Sequence, residues 1–227
     1  LSCHVYPSTL TFPATNVSMS YQVAVTTSGN VIDEGTGAVT YTCNVVHSIT
    51  STDAQYQDHP LKTVVVNVLN DDEADVKLWT VNSDDGSFEY DVKFIGPLTN
   101  NEGGRIVYGV RLDTEPRAVV VIRPNISLNN AINIVAPPTL IAEPKFVVFD
   151  ASNWSTIQTL RLYLPPDNVD NDKERFQIVH DVDTTDLVFL EKATARPIVA
   201  VVDAADDDTA GIVLENADVV QLGEGGP

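Results

Sequence analysis

The fold is decided by the stretch Arg105–Leu112 (RIVYGVRL), in which apolar and largely β-branched residues predominate. Its length and composition are typical of a β-strand. Similar runs recur along the chain, and Gly, Pro, Asn and Asp separate them. Several of them alternate apolar with polar residues, and no stretch with a helical period stands out. The further runs are 64–68, 119–122, 146–149, 159–164 and 198–202.

Strands at this spacing predict an all-β fold built as an antiparallel sandwich. The 227 residues are enough for one large all-β domain or two small ones, and 43% are hydrophobic, which suits a globular protein. No apolar run approaches the roughly 18 residues of a membrane span. No secretory signal is visible and the chain begins at Leu1, so we expect a mature or excised segment.

The charge balance narrows the range of partners. Against 32 Asp and Glu stand 13 Lys and Arg, which gives a net charge of −19. A surface this negative repels phosphate, so we expect neither nucleic acid nor an anionic membrane as a partner. The same surface suits a protein that collects cations.

The chain contains an internal repeat of roughly 135 residues, a normal size for one sandwich. Residues 9–18 align with 145–155, residues 45–48 with 178–181, and residues 64–78 with 198–214. In this frame 74–208 form one complete unit, whereas 1–73 match only the second half of a unit. Residues 209–227 open a further unit, because 222–226 align with 101–104.

A half-sandwich leaves sheet edges and a core face exposed. The odd frame therefore predicts one of two arrangements. Either the segment belongs to a longer tandem array, or a neighbouring chain completes the N-terminal half.

Three motifs stand in order along the chain: the pair Glu102-Gly103, the acidic loop 166–176 with Phe176 at its end, and the closing Asp triplet 206–208 with Gly211. Together they resemble the motifs of the Calx-β family of calcium-binding extracellular repeats. With the internal repeat, the resemblance implies tandem immunoglobulin-like, Calx-β-like antiparallel β-sandwiches. The similarity covers most of 80–211 and, more weakly, 1–78.

The resemblance implies a calcium site where the acidic loop meets the triplet at one end of the sandwich. Calcium takes six to eight oxygen ligands, and gathered carboxylates repel each other unless a cation lies among them. Asn171 stands where family members that bind several ions have an acid, so one or two ions are expected. Loop 28–35 of the N-terminal half is poor in acids and predicts no site. The implied ligands are Glu102, Asp167, Glu174, Asp206, Asp207 and Asp208, with the carbonyl oxygen of Val169. The alternative is a solvated, charged loop.

The two cysteines, Cys3 and Cys43, are too few for a four-ligand zinc site. They are either two unpaired buried thiols or one disulfide that closes a loop of about 40 residues. The other signs of secretion favour the disulfide.

Three Asn-x-Ser sequons, at Asn16, Asn125 and Asn153, predict N-linked glycans if the chain passes through a eukaryotic secretory pathway. Asn16 and Asn153 share one position of the repeat, just after a strand, where a turn would expose them. Trp154 is expected to hinder transfer at Asn153.

Catalytic signatures are absent from the sequence, so we expect no enzyme. His47 and His180 recur at equivalent strand positions, which indicates a structural role. Acid pairs such as Asp84-Asp85 are expected by chance in so acidic a chain.

Tandem repeats without a catalytic site typically build length or a binding surface. The leading hypothesis is a structural subunit of an extracellular glycoprotein filament or surface appendage, stiffened by calcium. Copies of the chain would join head to tail by β-strand donation from 209–227 to 1–73. A 19-residue tail cannot replace all of the missing half. The alternatives are an adhesion module that binds a cell-surface protein or glycan, and an accessory module of a secreted enzyme.

Overall fold

The protein is represented by a computed structural model. It describes residues 2–15, 19–35, 37–57, 59–81, 86–90, 94–97, 103–128, 139–170, 174–206 and 208–212. Within these residues the chain forms strands and one short helix. The strands are β1 Cys3–Tyr6, β2 Ala24–Thr27, β3 Val39–Val45, β4 Val64–Leu69, β5 Val76–Val81, β6 Phe88–Tyr90, β7 Phe94–Pro97, β8 Arg105–Leu112, β9 Val120–Leu128, β10 Ile141–Glu143, β11 Val147–Phe149, β12 Gln158–Tyr163, β13 Glu174–Thr184 and β14 Ile198–Ala204; the helix is α1 Leu187–Ala195.

Strands β5 to β14 form two five-stranded sheets that pack face to face. One sheet has the order β10-β12-β8-β5-β6 and the other the order β11-β9-β13-β14-β7. The alternating pattern of the sequence explains the packing, because every second side chain points into the interface. Tyr108, Leu160 and Ile178 are among the fully buried residues that both sheets contribute to one core. The all-β, immunoglobulin-like sandwich that the sequence predicts is confirmed.

Two features of the sandwich differ from the sequence-based expectation. First, β7 pairs with β14 in parallel, whereas every other pair of neighbouring strands is antiparallel among the residues described. Second, α1 is a helix where none was expected. It begins at the N-cap Asp186, whose Oδ1 accepts a hydrogen bond from Val188 N at 3.1 Å. Nine residues are too few for a clear helical period, so the caps rather than the pattern mark this helix.

The first four strands form two separate two-stranded sheets, β1-β2 and β3-β4. A disulfide between Cys3 in β1 and Cys43 in β3 joins the two sheets across a Cα–Cα distance of 6.4 Å. Of the two alternatives that the sequence leaves open, the disulfide is correct. Asp33 is the one buried residue that the structure describes between 2 and 73, so this half has no apolar core of its own.

The strand register shows that these two hairpins repeat the second half of the sandwich. Tyr6 pairs with Ala24 as Glu143 pairs with Arg161, and a cis peptide bond to Pro follows both Tyr6 and Glu143. Hairpin β1–β2 is therefore the counterpart of β10–β12, and the two segments align without a gap from these bonds through Asn16 and Asn153.

Hairpin β3–β4 repeats β13–β14 in the same way. Cys43 pairs with Val66 as Phe176 pairs with Val202. The imidazole Nδ1 of His47 lies 3.2 Å from the carbonyl oxygen of Lys62, and His180 Nδ1 lies 3.1 Å from that of Ile198, at the same positions of the repeat. The disulfide accordingly occupies positions that the complete unit fills with Leu140 and Phe176, both core residues.

Candidate functional site

The most prominent surface feature is the apolar inner face of the N-terminal half. Phe12 is 61% exposed, whereas Phe149, at the same position of the repeat, is 0% exposed. Val23 is likewise exposed, whereas its counterpart Leu160 is fully buried. Exposed apolar side chains on the side of a sheet that faces the core in the complete unit make this surface the candidate interaction site. We call this surface, made by Phe12, Val23, Val25, Val45, Val64 and Val66, the open face.

The complete unit shows which strands would cover the open face. Its β12 lies beside β8, and its β13 lies beside β9. Neither β2 nor β3, their counterparts, has such a neighbour among the residues described. Residues 10–12 correspond to β11, which pairs with β9, and they form no strand. The N-terminal half is therefore incomplete on both layers.

At the C-terminal end of the described chain, an apolar residue is also exposed where its counterpart in the complete unit is buried. The motif after β14 repeats the motif after β4, so Ile212 corresponds to Val76, the first residue of β5. Val76 is 8% exposed in the core, whereas Ile212 is 92% exposed. Ile212 is therefore an apolar side chain that the described part of the sandwich leaves uncovered.

The N-terminal half is held to the sandwich by a buried carboxylate. Asp33 accepts hydrogen bonds from Ala74 N at 2.8 Å, Gly35 N at 2.7 Å and Asn70 Nδ2 at 3.0 Å. Burial opposes the ionised form, but these donors outweigh it and hold the pKa of Asp33 below its ordinary value. Glu115 N donates to the Val31 carbonyl at 2.7 Å nearby.

A matching contact occurs at the acidic end of the sandwich. Asp170 Oδ2 accepts a hydrogen bond from Ala210 N at 2.6 Å, and Ala210 is the counterpart of Ala74. The acidic loop and the segment after β14 therefore meet, as the resemblance implies. Gly103 N donates to Leu164 O at 2.8 Å, which brings the strand start near Glu102 to the same end.

The described members of the implied ligand set lie at this end of the sandwich. Asp167 Oδ1 accepts from Val169 N at 2.7 Å, and Asp206 Oδ1 accepts from Asp208 N at 3.2 Å. Glu174 is buried and pairs in register with Ala204, just before the triplet. Glu102 and Asp207 lie outside the described residues.

Whether the implied ligands could hold a calcium ion depends on all of their side chains together. Within the described ranges no three His, Cys, Asp or Glu side chains are close enough together to hold an ion. Carboxylates and a carbonyl are the ligand types that calcium prefers. A calcium site therefore stays a prediction that also needs Glu102 and Asp207.

The sequence interpretation assigned no role to two carboxylates that make these contacts, Asp33 and Asp170. Each accepts the N–H group of the alanine that follows its acidic motif. The signal was available, because both aspartates stand at one position of the repeat within the loops 28–35 and 166–176.

The sequons differ in their surroundings. Asn125 is exposed on β9, and its Nδ2 lies 3.4 Å from Asp181 Oδ2. Asn153 is half-buried in a turn, where its Nδ2 donates to Val148 O at 3.1 Å and its Oδ1 accepts from Asp150 N at 2.8 Å. Asn16 lies outside the described residues.

His180 has the structural role expected from the sequence. It is buried, with Nε2 2.8 Å from the hydroxyl of Tyr108 on the opposite sheet. Since a carbonyl only accepts, the Ile198 oxygen fixes the hydrogen on Nδ1, and Nε2 accepts from Tyr108. Burial lowers the pKa of His180 to about 4. His47, by contrast, is exposed.

No protein-family model matches the chain, and no curated protein matches it. Solved structures that resemble it include the periplasmic chaperone SfaE, at 9% identity and a TM-score of 0.32, with 56% of this chain and 59% of that one covered. The PapD-like domain 7 of human CEP192 gives 10% identity and a TM-score of 0.34, with 61% and 87% covered. WR4, an MSP family member of C. elegans, gives 16% and 0.27, with 48% and 91% covered.

These similarities are partial and concern the fold alone. The described part of the chain contains no helix of the length and apolar character needed to cross a membrane.

Proposed function

We propose that this protein is a structural subunit of an extracellular glycoprotein filament or surface appendage, in which copies associate head to tail. The observation that carries the proposal is the contrast between Phe12 and Phe149, at one position of the repeat but exposed in one unit and buried in the other. An apolar half-sandwich is stabilised by whatever covers it. Its covering partner must resemble the first half of a unit.

A second copy of the chain is the partner that the repeat favours. Ile212 begins a first-half segment whose counterpart Val76 lies in the core. The tail of one copy and the open face of another are therefore parts of one sandwich. A contact between two different surfaces does not close on itself, so repetition gives a fibre.

Calcium is the proposed stiffening ion at the acidic end. Asp170 ties the acidic loop to Ala210, which comes just before residues 212–227 in the sequence. When bound there, calcium would neutralise the gathered carboxylates and restrict the direction of the tail. This role follows from the resemblance to Calx-β repeats.

An extracellular location and N-linked glycans belong to the same proposal. The Cys3–Cys43 disulfide supports an oxidising compartment. Among the sequons, Asn125 offers an exposed side chain for a glycan. Asn153, by contrast, has both its amide nitrogen and its amide oxygen in hydrogen bonds inside a turn. The proposed role is non-enzymatic.

Deletion of residues 212–227 tests the proposal. We expect the truncated protein to stay folded, with its disulfide intact, and to form no filaments under conditions in which the full chain does. Filaments that persist after the deletion would contradict the tail as the donor.

Peptide mapping after glycosidase treatment would establish which of the three asparagines carries a glycan.

The alternative function is an adhesion module of a long cell-surface repeat protein. An open depression beside β9 and β10 is the observation behind it. Arg123 and Lys145 line it together with Asp181, and Arg123 also pairs with Asp183 at 3.0 Å, so Lys145 is the cation that a ligand would meet first. An anionic glycan or an acidic protein is the ligand class that such cations suit. A chain that stays monomeric in calcium and binds such a ligand would favour this function.

A further inference from the structure

The outer edge of β4 differs from the corresponding edge in the complete unit. In the complete unit the corresponding edge of β14 is taken by β7, which runs parallel to it. Among the residues that the structure describes, β4 pairs with β3 alone. The exposed side chains Val65 and Leu69 lie along this strand.

The sequence of the tail supplies a counterpart of β7. Residues 222–226 align with 101–104, with Glu224 opposite Glu102. Counting back from this glutamate aligns residues 216–219 with β7, Phe94–Pro97. Val76 and Glu102 are 26 residues apart, whereas Ile212 and Glu224 are 12 apart, so in this alignment the tail continues as the counterpart of β7 and not of β5. Fifteen residues, 213–227, follow the last described residue, Ile212. This length is ample for one strand, because an extended chain spans roughly 3.3 Å per residue.

We propose that residues 216–222 of a second copy add to the free edge of β4 as a parallel strand. This inference rests on the proposed head-to-tail assembly and names the edge, the direction and the register of the contact. The register follows from the complete unit, in which Pro97 pairs with Asp203. Asp203 corresponds to Asn67, and Pro97 corresponds to Val219, so Val219 lies opposite Asn67.

The outer edge of β4 suits this role because β4 is held in the same register against β3 as β14 is against β13. Hairpin β3–β4 has the same register as β13–β14, so β4 has the strand geometry that β14 offers to β7. Thr42 Oγ1 donates to Asn67 Oδ1 at 3.0 Å, where Arg175 and Asp203 form the equivalent cross-strand pair. Backbone hydrogen bonds along an open edge supply affinity, and the side chains supply register.

Disulfide mapping between two populations of the chain tests the register. Both cysteines of the sequence are already bonded to each other, so an introduced cysteine is the only free thiol. One population carries Asn67→Cys and the other carries a cysteine at one position from 216 to 222. A covalent dimer then reports a contact between two chains and excludes a tail that folds back on its own chain.

We expect the dimer yield to alternate along the tail, with its maximum at position 219, because every second side chain of a strand points to one side. Moving the receiving cysteine to Val65→Cys distinguishes the direction. A parallel strand moves the maximum back to 216 or 217, whereas an antiparallel strand moves it forward to 221. The forward shift would overturn the proposed direction.

The matched control is Thr26→Cys, an exposed position on β2 in the other layer. We expect background yield there. A higher yield from Thr26→Cys than from Asn67→Cys would overturn the choice of β4 while head-to-tail assembly stands. Electron microscopy before oxidation is the separate readout for assembly: filaments without any Asn67 cross-link overturn the docking alone. A cross-link between dispersed copies that form no filaments supports the docking and counts against the filament.

Discussion

Phe12 and Phe149 occupy the same position of the repeat, yet Phe149 is fully buried and Phe12 is 61% exposed. Phe149 has both sheets of a sandwich around it. Among the residues described, the ring of Phe12 contacts that of Tyr21 edge to face, with centroids 5.0 Å apart. The difference in exposure arises because no second sheet covers Phe12 among the residues described.

Substituting each of these phenylalanines by alanine should separate stability from assembly. We expect Phe149→Ala to lower the free energy of unfolding of the sandwich by about 3–5 kcal/mol, because a large buried side chain is lost. Phe12→Ala should cost the isolated chain at most about 1.5 kcal/mol, the scale of its aromatic contact, but should impair filament formation. Denaturant titration and electron microscopy measure the two effects. Equal stability losses would contradict an exposed Phe12.

The disulfide should be the main stabiliser of the N-terminal half. It joins two two-stranded sheets that share no apolar core, and a 40-residue separation corresponds to about 4 kcal/mol on the chain-entropy model. We expect Cys3→Ser with Cys43→Ser to unfold residues 2–73 while β5 to β14 remain folded. Hydrogen exchange resolved by segment would show lost protection in the first region only. Uniform loss of protection would mean that the two regions unfold together.

The buried His180 should make the sandwich sensitive to acid. Its pKa is lowered from 6.5 to about 4 by burial, with Asp181 and the Ile198 carbonyl opposing the shift. The unfolded chain therefore binds the proton more readily, and stability present above pH 6.5 is lost as the pH falls towards 4. We expect a loss of about 3 kcal/mol over this window.

The variant pair His180→Gln and His47→Gln isolates this effect. Removing His180 should flatten the dependence of unfolding free energy on pH between 4 and 6.5, whatever its effect on stability at neutral pH. His47 stands at the equivalent position but is exposed, so His47→Gln is the matched control for the loss of an imidazole from this position of the repeat. An identical slope in all three proteins would exclude His180 as the source.

Calcium should raise the melting temperature of the full chain, because an ion that binds only the folded state stabilises it by about 2.7 kcal/mol at a concentration of 100 Kd. Asp206→Asn with Asp208→Asn should remove the shift. Glu143→Gln with Glu191→Gln changes the net charge equally at exposed positions outside the acidic end, and should preserve it. A wild-type melting temperature that is the same with calcium and with chelator would contradict a calcium site.

The sequence predicted those elements whose evidence lies in a few neighbouring residues. The β-branched runs predict β8 and β14 because strand composition and period are properties of a few neighbouring residues. The helix α1 escaped prediction because its evidence is the cap at Asp186 rather than a long amphipathic pattern.

The remaining features depend on contacts between distant parts of the chain. The parallel pairing of β7 with β14 joins residues about a hundred positions apart, and a strand composition does not specify its partner. Asp33 and Asp170 are ordinary loop acids in the sequence. Their roles follow from the backbone N–H groups of Ala74 and Ala210, which only the folded chain brings to them.

Electron microscopy of the natively isolated protein in millimolar calcium tests the proposed head-to-tail assembly most directly. We expect regular filaments whose density shows a strand from a neighbouring copy beside β4 and an apolar cover over Phe12. Dispersed single particles with a solvent-exposed Phe12 would contradict the assembly.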